Sequence, residues 1–357
     1  MIKILHSADW HLDAPMSGHS EAQTEYLRRE LKKVPEKLAQ LCAAEHCDLV
    51  FLAGDLFDGP WSADTLRTVQ EALRTMAVPV FIAPGNHDPM GKDSPYTQPS
   101  WPENVHIFTQ AQMTSVVLPE LDCRIYGAGY EGMDCPALLE NFQAQGTETW
   151  QLGILHGDPT VSASPYCPIS RQQLHSCGLH YLALGHIHKA DSLRVGDTSC
   201  AWPGCPMGRG FDELDAKGAI LVTLDGTVRA SFQNLDTPRF FDMEIEAGDD
   251  PADAAAAVLP ALPTQDFYRI TLTGYSTGVD TKALCSAFTH IPNLTVRDQT
   301  RPEMDLWSAV GEDTLEGVYF GLLQNATEHD SEAVRRRAML AARISRHILD
   351  GQEVKLP

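Results

Sequence analysis

Five short polar motifs carry the residues able to do chemistry in this chain: Asp9-Trp10-His11, Gly54-Asp55, Gly85-Asn86-His87-Asp88, His156-Gly157 and Gly185-His186-Ile187-His188. Their carboxylates, imidazoles and one carboxamide are ligand types for divalent cations. A site for two such ions needs about four protein ligands per ion, one of them shared, and an open position for water and a phosphate oxygen. Asp9, His11, Asp55 and His188 suit one ion; Asp55, Asn86, His156 and His186 suit the other, with Asp55 as the bridge across the roughly 3.5–4 Å typical of such pairs. His87 is left over. Neighbouring residues at a strand end point to opposite sides, so if Asn86 faces an ion, His87 can face substrate as a proton donor. The chemistry expected is phosphate-ester hydrolysis: hydroxide formed between two cations attacks in line, and His87 protonates the departing oxygen.

Such a site needs strand ends that converge. Each motif follows a short apolar run, namely Ile2 to Leu5, Leu49 to Ala53, Val78 to Ala83, Leu152 to Leu155 and Tyr181 to Leu184. These runs are too short for helices and read as buried strands, so all five motifs leave one edge of a packed sheet. A single Asp or His at a strand end is usually a turn or capping residue; the weight lies in five motifs together. Asp88 has two readings, as the group that orients His87 and as a turn former before Pro89. Asp58 supports the site or makes an Asx-turn, and His6 supports the metal loop rather than binding an ion.

The five motifs resemble those of the calcineurin-like metallophosphoesterase superfamily. Ile4-Leu5-His6-Ser7-Ala8-Asp9-Trp10-His11-Leu12, Ala53-Gly54-Asp55-Leu56-Phe57-Asp58, and Trp202-Pro203-Gly204-Cys205-Pro206-Met207-Gly208-Arg209 with Glu213 and Lys217-Gly218 look like its SbcD-type DNA repair exonucleases, and within them the YhaO-like bacterial branch. The resemblance spans roughly residues 1 to 235. It implies an α/β fold, a four-layer sandwich of two facing β-sheets flanked by helices, with a small α+β C-terminal capping domain. It also implies a DNA exonuclease, with endonuclease action open, a homodimer, and an SMC-like coiled-coil ATPase partner. The nuclease resemblance favours manganese, while the ligand types suit iron and zinc as well. Protein Ser/Thr phosphatases of the superfamily carry an arginine where Gly59-Pro60 follows Asp58 here. A phosphodiesterase for nucleotides or other small phosphodiesters is the alternative function.

At 357 residues the chain exceeds the size at which single cores stop growing. The expected division is a metallophosphoesterase domain over 1–237, a capping domain over 238–300 and a C-terminal helical segment over 301–357. Glu21 to His46 has helical spacing with Pro35 forcing a kink or a helix start, and Ser62 to Met76 opens at a capping serine. Asp225-Gly226 marks a hairpin between Ala219 to Leu224 and Val228 to Phe232. Beyond Thr237-Pro238, Phe240 to Ile245, Phe267 to Leu272 and Leu294 to Arg297 read as strands, and Pro251 to Leu259 and Asp280 to Phe288 as helices. Ser331 to Leu349 reads as an amphipathic basic helix with Val334, Ala338, Ala341, Ile344 and Ile348 on one face and its arginines mostly elsewhere.

Nine cysteines without a Cys-x-x-Cys pair suggest reduced, mostly buried thiols, with Cys205 the candidate for exposure. With no membrane-length apolar run and no secretory signal, a cytoplasmic location is expected. A net charge of −21 opposes binding to a polyanion at long range. Lys189, Arg194, Arg209 and the C-terminal arginines are the cations that could reverse the sign locally, with Arg209 as a candidate substrate contact. Weak DNA binding without a partner follows.

Overall fold

In a computed structural model of the chain, residues 1–248, 250–276, 278–302 and 305–351 are described. The strands are β1 (Ile2–Ser7), β2 (Leu49–Leu52), β3 (Val80–Ile82), β4 (Val105–Ile107), β5 (Thr114–Leu118), β6 (Cys123–Gly127), β7 (Trp150–His156), β8 (Tyr181–Gly185), β9 (Asp191–Val195), β10 (Thr198–Trp202), β11 (Gly218–Asp225), β12 (Thr227–Asn234), β13 (Phe240–Glu246), β14 (Phe267–Thr273) and β15 (Leu294–Asp298). One sheet runs in the order β12-β11-β1-β2-β3-β4, a second β5-β6-β7-β8-β10-β9, and a third β13-β14-β15. In the first, β1 to β4 are parallel and β11 joins β1 antiparallel; in the second, β6, β7, β8 and β10 are parallel and the edge strands are antiparallel. The expected hairpin is β11 and β12, turning at Gly226.

Alternation along the strands decides which layer each side chain enters. Ile4, Phe51 and Phe81 point from the first sheet to meet Ile125, Ile154, Tyr181 and Ala183 of the second. Their neighbours Leu5, Val50, Leu52 and Val80 point outward onto the helices α1 (Glu21–Leu31), α2 (Val34–Ala44) and α3 (Ala63–Met76). Pro35 lies in the first turn of α2, where its missing N–H costs nothing, so it starts a helix rather than kinking one. The outer face of the second sheet is covered by the short helix α4 (Arg171–Ser176) and by loop residues such as Tyr130, Leu139 and Cys167. This is the four-layer α/β sandwich with two facing sheets.

The chain divides into two compact units. The first comprises Met1–Asp242, Pro263–Arg269 and His290–Leu294; the second comprises Met243–Leu262, Ile270–Thr289 and Thr295–Pro357. The second unit contains the helices α5 (Pro251–Ala256), α6 (Thr281–Ala287), α7 (Leu315–Thr327) and α8 (Glu332–Leu349). In α8 the expected apolar face is only partly realised. Ser331 is the N-cap but its side chain makes no capping bond. Ala338 and Ala342 are the residues buried, whereas Ile348 is 62% exposed. Two arginines turn inward: Arg346 pairs with Glu316 at 2.7 Å over the Phe320 ring, and Arg343 lies over Tyr275. Flat, delocalised guanidinium groups stack on aromatic faces, which a reading by charge alone misses. The last six positions of the 301–357 segment lie outside the described residues. Among the described residues no helix is long and apolar enough to cross a membrane.

Candidate metal centre

The site begins as a backbone ladder. Beyond β1, the amides of Asp9, His11 and Leu12 bond the carbonyls of Gly54, Asp55 and Leu56 at 3.0, 2.9 and 3.0 Å, so the first two motif loops run side by side. Asp9, His11, Asp55 and His186 all adopt left-handed φ, at 54°, 48°, 53° and 95°. Non-glycine residues reach this region at a cost, and such strain gathers where surrounding structure fixes a functional side chain. Two motif glycines are required by close approach. A Cβ on Gly54 (φ +87°) would lie 2.5 Å from His156 Nδ1, and one on Gly85 would lie 2.2 Å from Asp55 Oδ1.

Asp88 holds this ladder in place. Its buried carboxylate accepts the backbone N–H groups of Gly85 (2.8 Å), Asp55 (3.2 Å), Leu56 (2.6 Å) and Phe57 (3.2 Å) and the Tyr96 hydroxyl (2.5 Å). The expectation that Asp88 orients His87 is corrected: the His87 ring bonds Asp58 instead, Nδ1 to Oδ1 at 3.0 Å, while its backbone N–H donates to Asp55 Oδ1 at 2.9 Å. Adjacent residues face opposite ways, and here the buried way belongs to Asp88.

Inside the ladder the candidate ligands converge. His11 Nε2 and His188 Nε2 are 3.0 Å apart, and Asp9 lies with them; Asp9, Asp55 and His156 form a second group, with ligand atoms in each group within 4.8 Å of one another. His156 Nε2 is 3.3 Å from Asp55 Oδ2 and 3.0 Å from Asn86 Oδ1. Asp55 Oδ2 also lies 3.8 Å from His11 Nε2, so this carboxylate stands between the two groups. His186 sits at the margin. Its backbone N–H donates to both Asp9 carboxylate oxygens at 3.0 and 3.1 Å, and its ring meets those of His156 and Tyr166 with centroids 5.3 and 4.8 Å apart.

The donor set fits cations. His156 Nδ1 bonds the Ala53 carbonyl at 2.8 Å and His188 Nδ1 bonds Glu213 Oε1 at 2.7 Å. Both acceptors require the proton on Nδ1, which leaves each Nε2 lone pair directed into the cluster. Two lone pairs, or a lone pair beside a carboxylate, repel unless a cation or a proton lies between. Two imidazole nitrogens each ~2.1 Å from one ion would be about 3.0–3.4 Å apart, which matches His11 and His188. In the metal-free protein a proton takes that place: burial disfavours a charged His156 ring, but the Asp55 and Asp9 carboxylates outweigh it and push its pKa up to about 10.

His87 stands at the edge of the cluster with 41% of its side chain exposed, and its bond to Asp58 raises its pKa. Asp58 is held far below the usual carboxylate range by His11 and His87, and its Oδ2 lies 3.3 Å from His11 Nδ1. Arg209, expected to touch substrate, is committed to the protein. Its Nη2 and backbone N–H donate to Glu213 at 2.7 and 2.8 Å, and its Nη1 reaches Asp58 Oδ2 at 3.4 Å. Glu213 was not singled out by residue type, although it lies in the sequence words that carry the nuclease resemblance. Cys205 is buried, not exposed, and its thiol points at the His188 carbonyl. That carbonyl also accepts from buried Lys217 at 3.3 Å. His6 binds the Tyr181 hydroxyl at 2.8 Å and the Leu184 carbonyl at 3.0 Å, and burial lowers its pKa to about 3. Lys189 and Arg194 are exposed.

The profile of the calcineurin-like phosphoesterase family matches residues 2–190, which covers every motif described. The chain belongs to the calcineurin-like phosphoesterase family. As for relatives of this phosphoesterase, the chain is 34% identical over 251 residues to the uncharacterized metallophosphoesterase YhaO of Bacillus subtilis (strain 168), a match covering 65% of this chain and 60% of that protein. It therefore spans about 60% of that relative's length. Among solved structures, a dimetal phosphatase from Danio rerio is 14% identical with a TM-score of 0.41, covering 62% of this chain and 92% of its own. The phosphoesterase Yfce from E. coli is 15% identical with a TM-score of 0.31, covering 62% and 88%. Two divalent ions fit both this family and the His/Asp cluster.

Proposed function

We propose that this phosphoesterase is a two-metal phosphodiesterase that hydrolyses DNA, as an exonuclease in repair. The observation that carries the hydrolytic reading is the half-exposed His87–Asp58 pair beside a buried cluster whose imidazole lone pairs face carboxylates. Asp9, His11, Asp55 and His188 would hold one ion and Asp55, Asn86, His156 and His186 the other, with manganese the first candidate and iron and zinc the others. Bound there, divalent ions supply water activation and neutralise charge on phosphoryl oxygens. His87 does the remaining proton chemistry. Asp58 keeps a proton on Nδ1, so the transferred proton leaves from Nε2 to the sugar oxygen as its bond to phosphorus breaks.

The cations available to a polyanionic substrate gather at the end of α1. Arg28 and Arg29 of α1 and its C-cap Lys32 line a hollow of about 530 Å³ together with Asp13, Glu25 and Pro60, and Arg29 and Lys32 pair with Glu30 and Asp64 at 3.7 and 3.5 Å. Arg28 Nη2 bonds the Pro15 carbonyl at 3.2 Å, and the Ala14 to Ser17 segment borders the smaller hollow holding Asp58 and Arg209. Asp13 accepts the Ser62 N–H and the Thr65 hydroxyl at 2.8 Å each, neutral donors that fix its direction and leave its negative charge beside the cations. The net charge of −21 favours the second reading, a nucleotide or other small phosphodiester. Homodimerisation and an SMC-like coiled-coil ATPase partner belong to the first reading, on the resemblance alone.

Metal analysis of the purified protein, with hydrolysis of single-stranded DNA compared against cyclic and mononucleotides, tests the assignment. Faster turnover of DNA, dependent on added metal, is the expected result. Turnover of small phosphodiesters without DNA cleavage would replace it with the second reading.

A further inference from the structure

We infer that Arg209 is a positioning residue that sets the general acid through Asp58, and that Glu213 anchors Arg209 while holding His188. This rests on the phosphodiesterase reading, in which His87 protonates the leaving oxygen. Asp58 is the middle of the chain of contacts. One oxygen takes the His87 Nδ1 proton at 3.0 Å; the other lies 3.3 Å from His11 Nδ1 and 3.4 Å from Arg209 Nη1. The His11 contact is too poorly aligned to be a hydrogen bond, and His11 Nδ1 is left without one. Arg209 is thus the hydrogen-bonding side chain opposite His87 on this carboxylate.

Arg209 is itself fixed at its far side. Its Nε, Nη2 and backbone N–H all donate to Glu213, at 3.3, 2.7 and 2.8 Å. Glu213 is buried, and the same Oε1 that takes Nη2 takes His188 Nδ1 at 2.7 Å. A planar guanidinium can span two carboxylates in this way, whereas an ammonium cannot. A hollow of about 230 Å³ lined by Ala14, Met16 and Asp212 opens on one side of the Arg209 side chain, so packing restrains it on the other sides only. Ionic contacts on both sides therefore decide where Asp58, and through it the His87 ring, comes to rest.

The test uses leaving-group dependence on the intact, metal-loaded chain. Ejecting p-nitrophenolate from bis-p-nitrophenyl phosphate needs little protonation, whereas ejecting the sugar oxygen of a dinucleotide depends on the general acid. Arg209→Gln and Arg209→Lys should each lose kcat on the dinucleotide by at least ~10-fold more than on the p-nitrophenyl ester, the same bias that His87→Ala should show on a larger scale. Metal content by mass spectrometry should stay at the wild-type level in both Arg209 variants. Glu213→Gln should show the same leaving-group bias together with weaker metal retention on dialysis, on the order of 10-fold or more, because His188 loses its partner. Equal losses of kcat on the two esters would make Arg209 merely structural and overturn the inference. A raised KM with unchanged kcat would make it a phosphate contact and overturn it equally. Failure of the wild-type protein to cleave either ester would instead defeat the phosphodiesterase reading.

Discussion

Asp88 Oδ2 lies 2.6 Å from the backbone nitrogen of Leu56 and 2.5 Å from the Tyr96 hydroxyl, so a residue of the third motif fixes the loop of the second. The carboxylate also carries the Asp55 amide, and Asp55 stands between both groups of candidate ligands. Removing this acceptor strands several buried N–H groups at once, each worth about 1–3 kcal/mol. Asp88→Ala should lower folding stability by at least about 3 kcal/mol in urea unfolding of the metal-free protein. Tyr96→Phe, which deletes a single bond to a carboxylate, should lower it by about 1.5–3 kcal/mol. Loss of activity in Asp88→Ala at unchanged stability would point instead to a direct part in chemistry.

His87→Ala should keep its metal and lose about 10²–10⁴-fold in kcat on DNA. Metal content beside single-turnover rates checks this: His87 meets the cluster through Asp58, its backbone and the edge of the His11 ring, and its ligand nitrogen lies within 4.8 Å of those of His11 and Asp58, so loss of metal would make it a ligand instead. Asp55→Asn should fail the other way, with both ions lost together.

Metal binding should release a proton at neutral pH. The His156 pKa is raised from its ordinary 6.5 to about 10 in the metal-free fold, so the ring is charged at pH 7. That charge stabilises the metal-free protein fully below pH 6.5, and the contribution fades as pH rises through about 10. An ion must displace the same proton, so affinity should climb across this window. Calorimetric titration in buffers of different ionisation enthalpy should find about one proton released per ion bound at the His156 group; buffer-independent heats would contradict it.

Reversing the three cations at the C-terminal end of α1 should separate DNA from small esters. Arg28→Glu, Arg29→Glu and Lys32→Glu together should raise KM for DNA and shrink the slope of log K against log salt by about 0.7–0.9 for each phosphate that the helix no longer neutralises. Turnover of bis-p-nitrophenyl phosphate should be untouched. An unchanged salt slope would place the DNA path elsewhere on the molecule.

The fold and the placing of the motifs were legible because short continuous apolar runs mark strands buried on both faces, and strands of one sheet deliver their ends to one edge. Ile4 enters the layer between the sheets and Leu5 the layer under the helices, which is why both are apolar. What could not be read were partners fixed by distant backbone. Asp88 looks like a turn former before Pro89, and nothing in its neighbourhood announces the amides of Leu56 and Phe57. Arg209 and Glu213 lie four apart in a loop without periodicity, so their joint hold on His188 and Asp58 emerges only in three dimensions. Arg343 and Arg346 were misplaced for a related reason, since charge suggests solvent while a guanidinium plane also fits an aromatic face.

The positive φ of Asp9, His11 and Asp55 bears on how their variants can be compared. Alanine at any of these positions would remove a ligand while keeping the Cβ that already crowds the following carbonyl in the native Asp or His, so this backbone conflict of roughly 1–2 kcal/mol is largely shared by the wild type and the alanine variant. Glycine escapes that conflict and asparagine largely does, so a Gly, Asn and Ala series at one position separates what the side chain binds from what the main chain tolerates. A glycine scan by itself would mask part of what each side chain contributes behind a relaxed main chain.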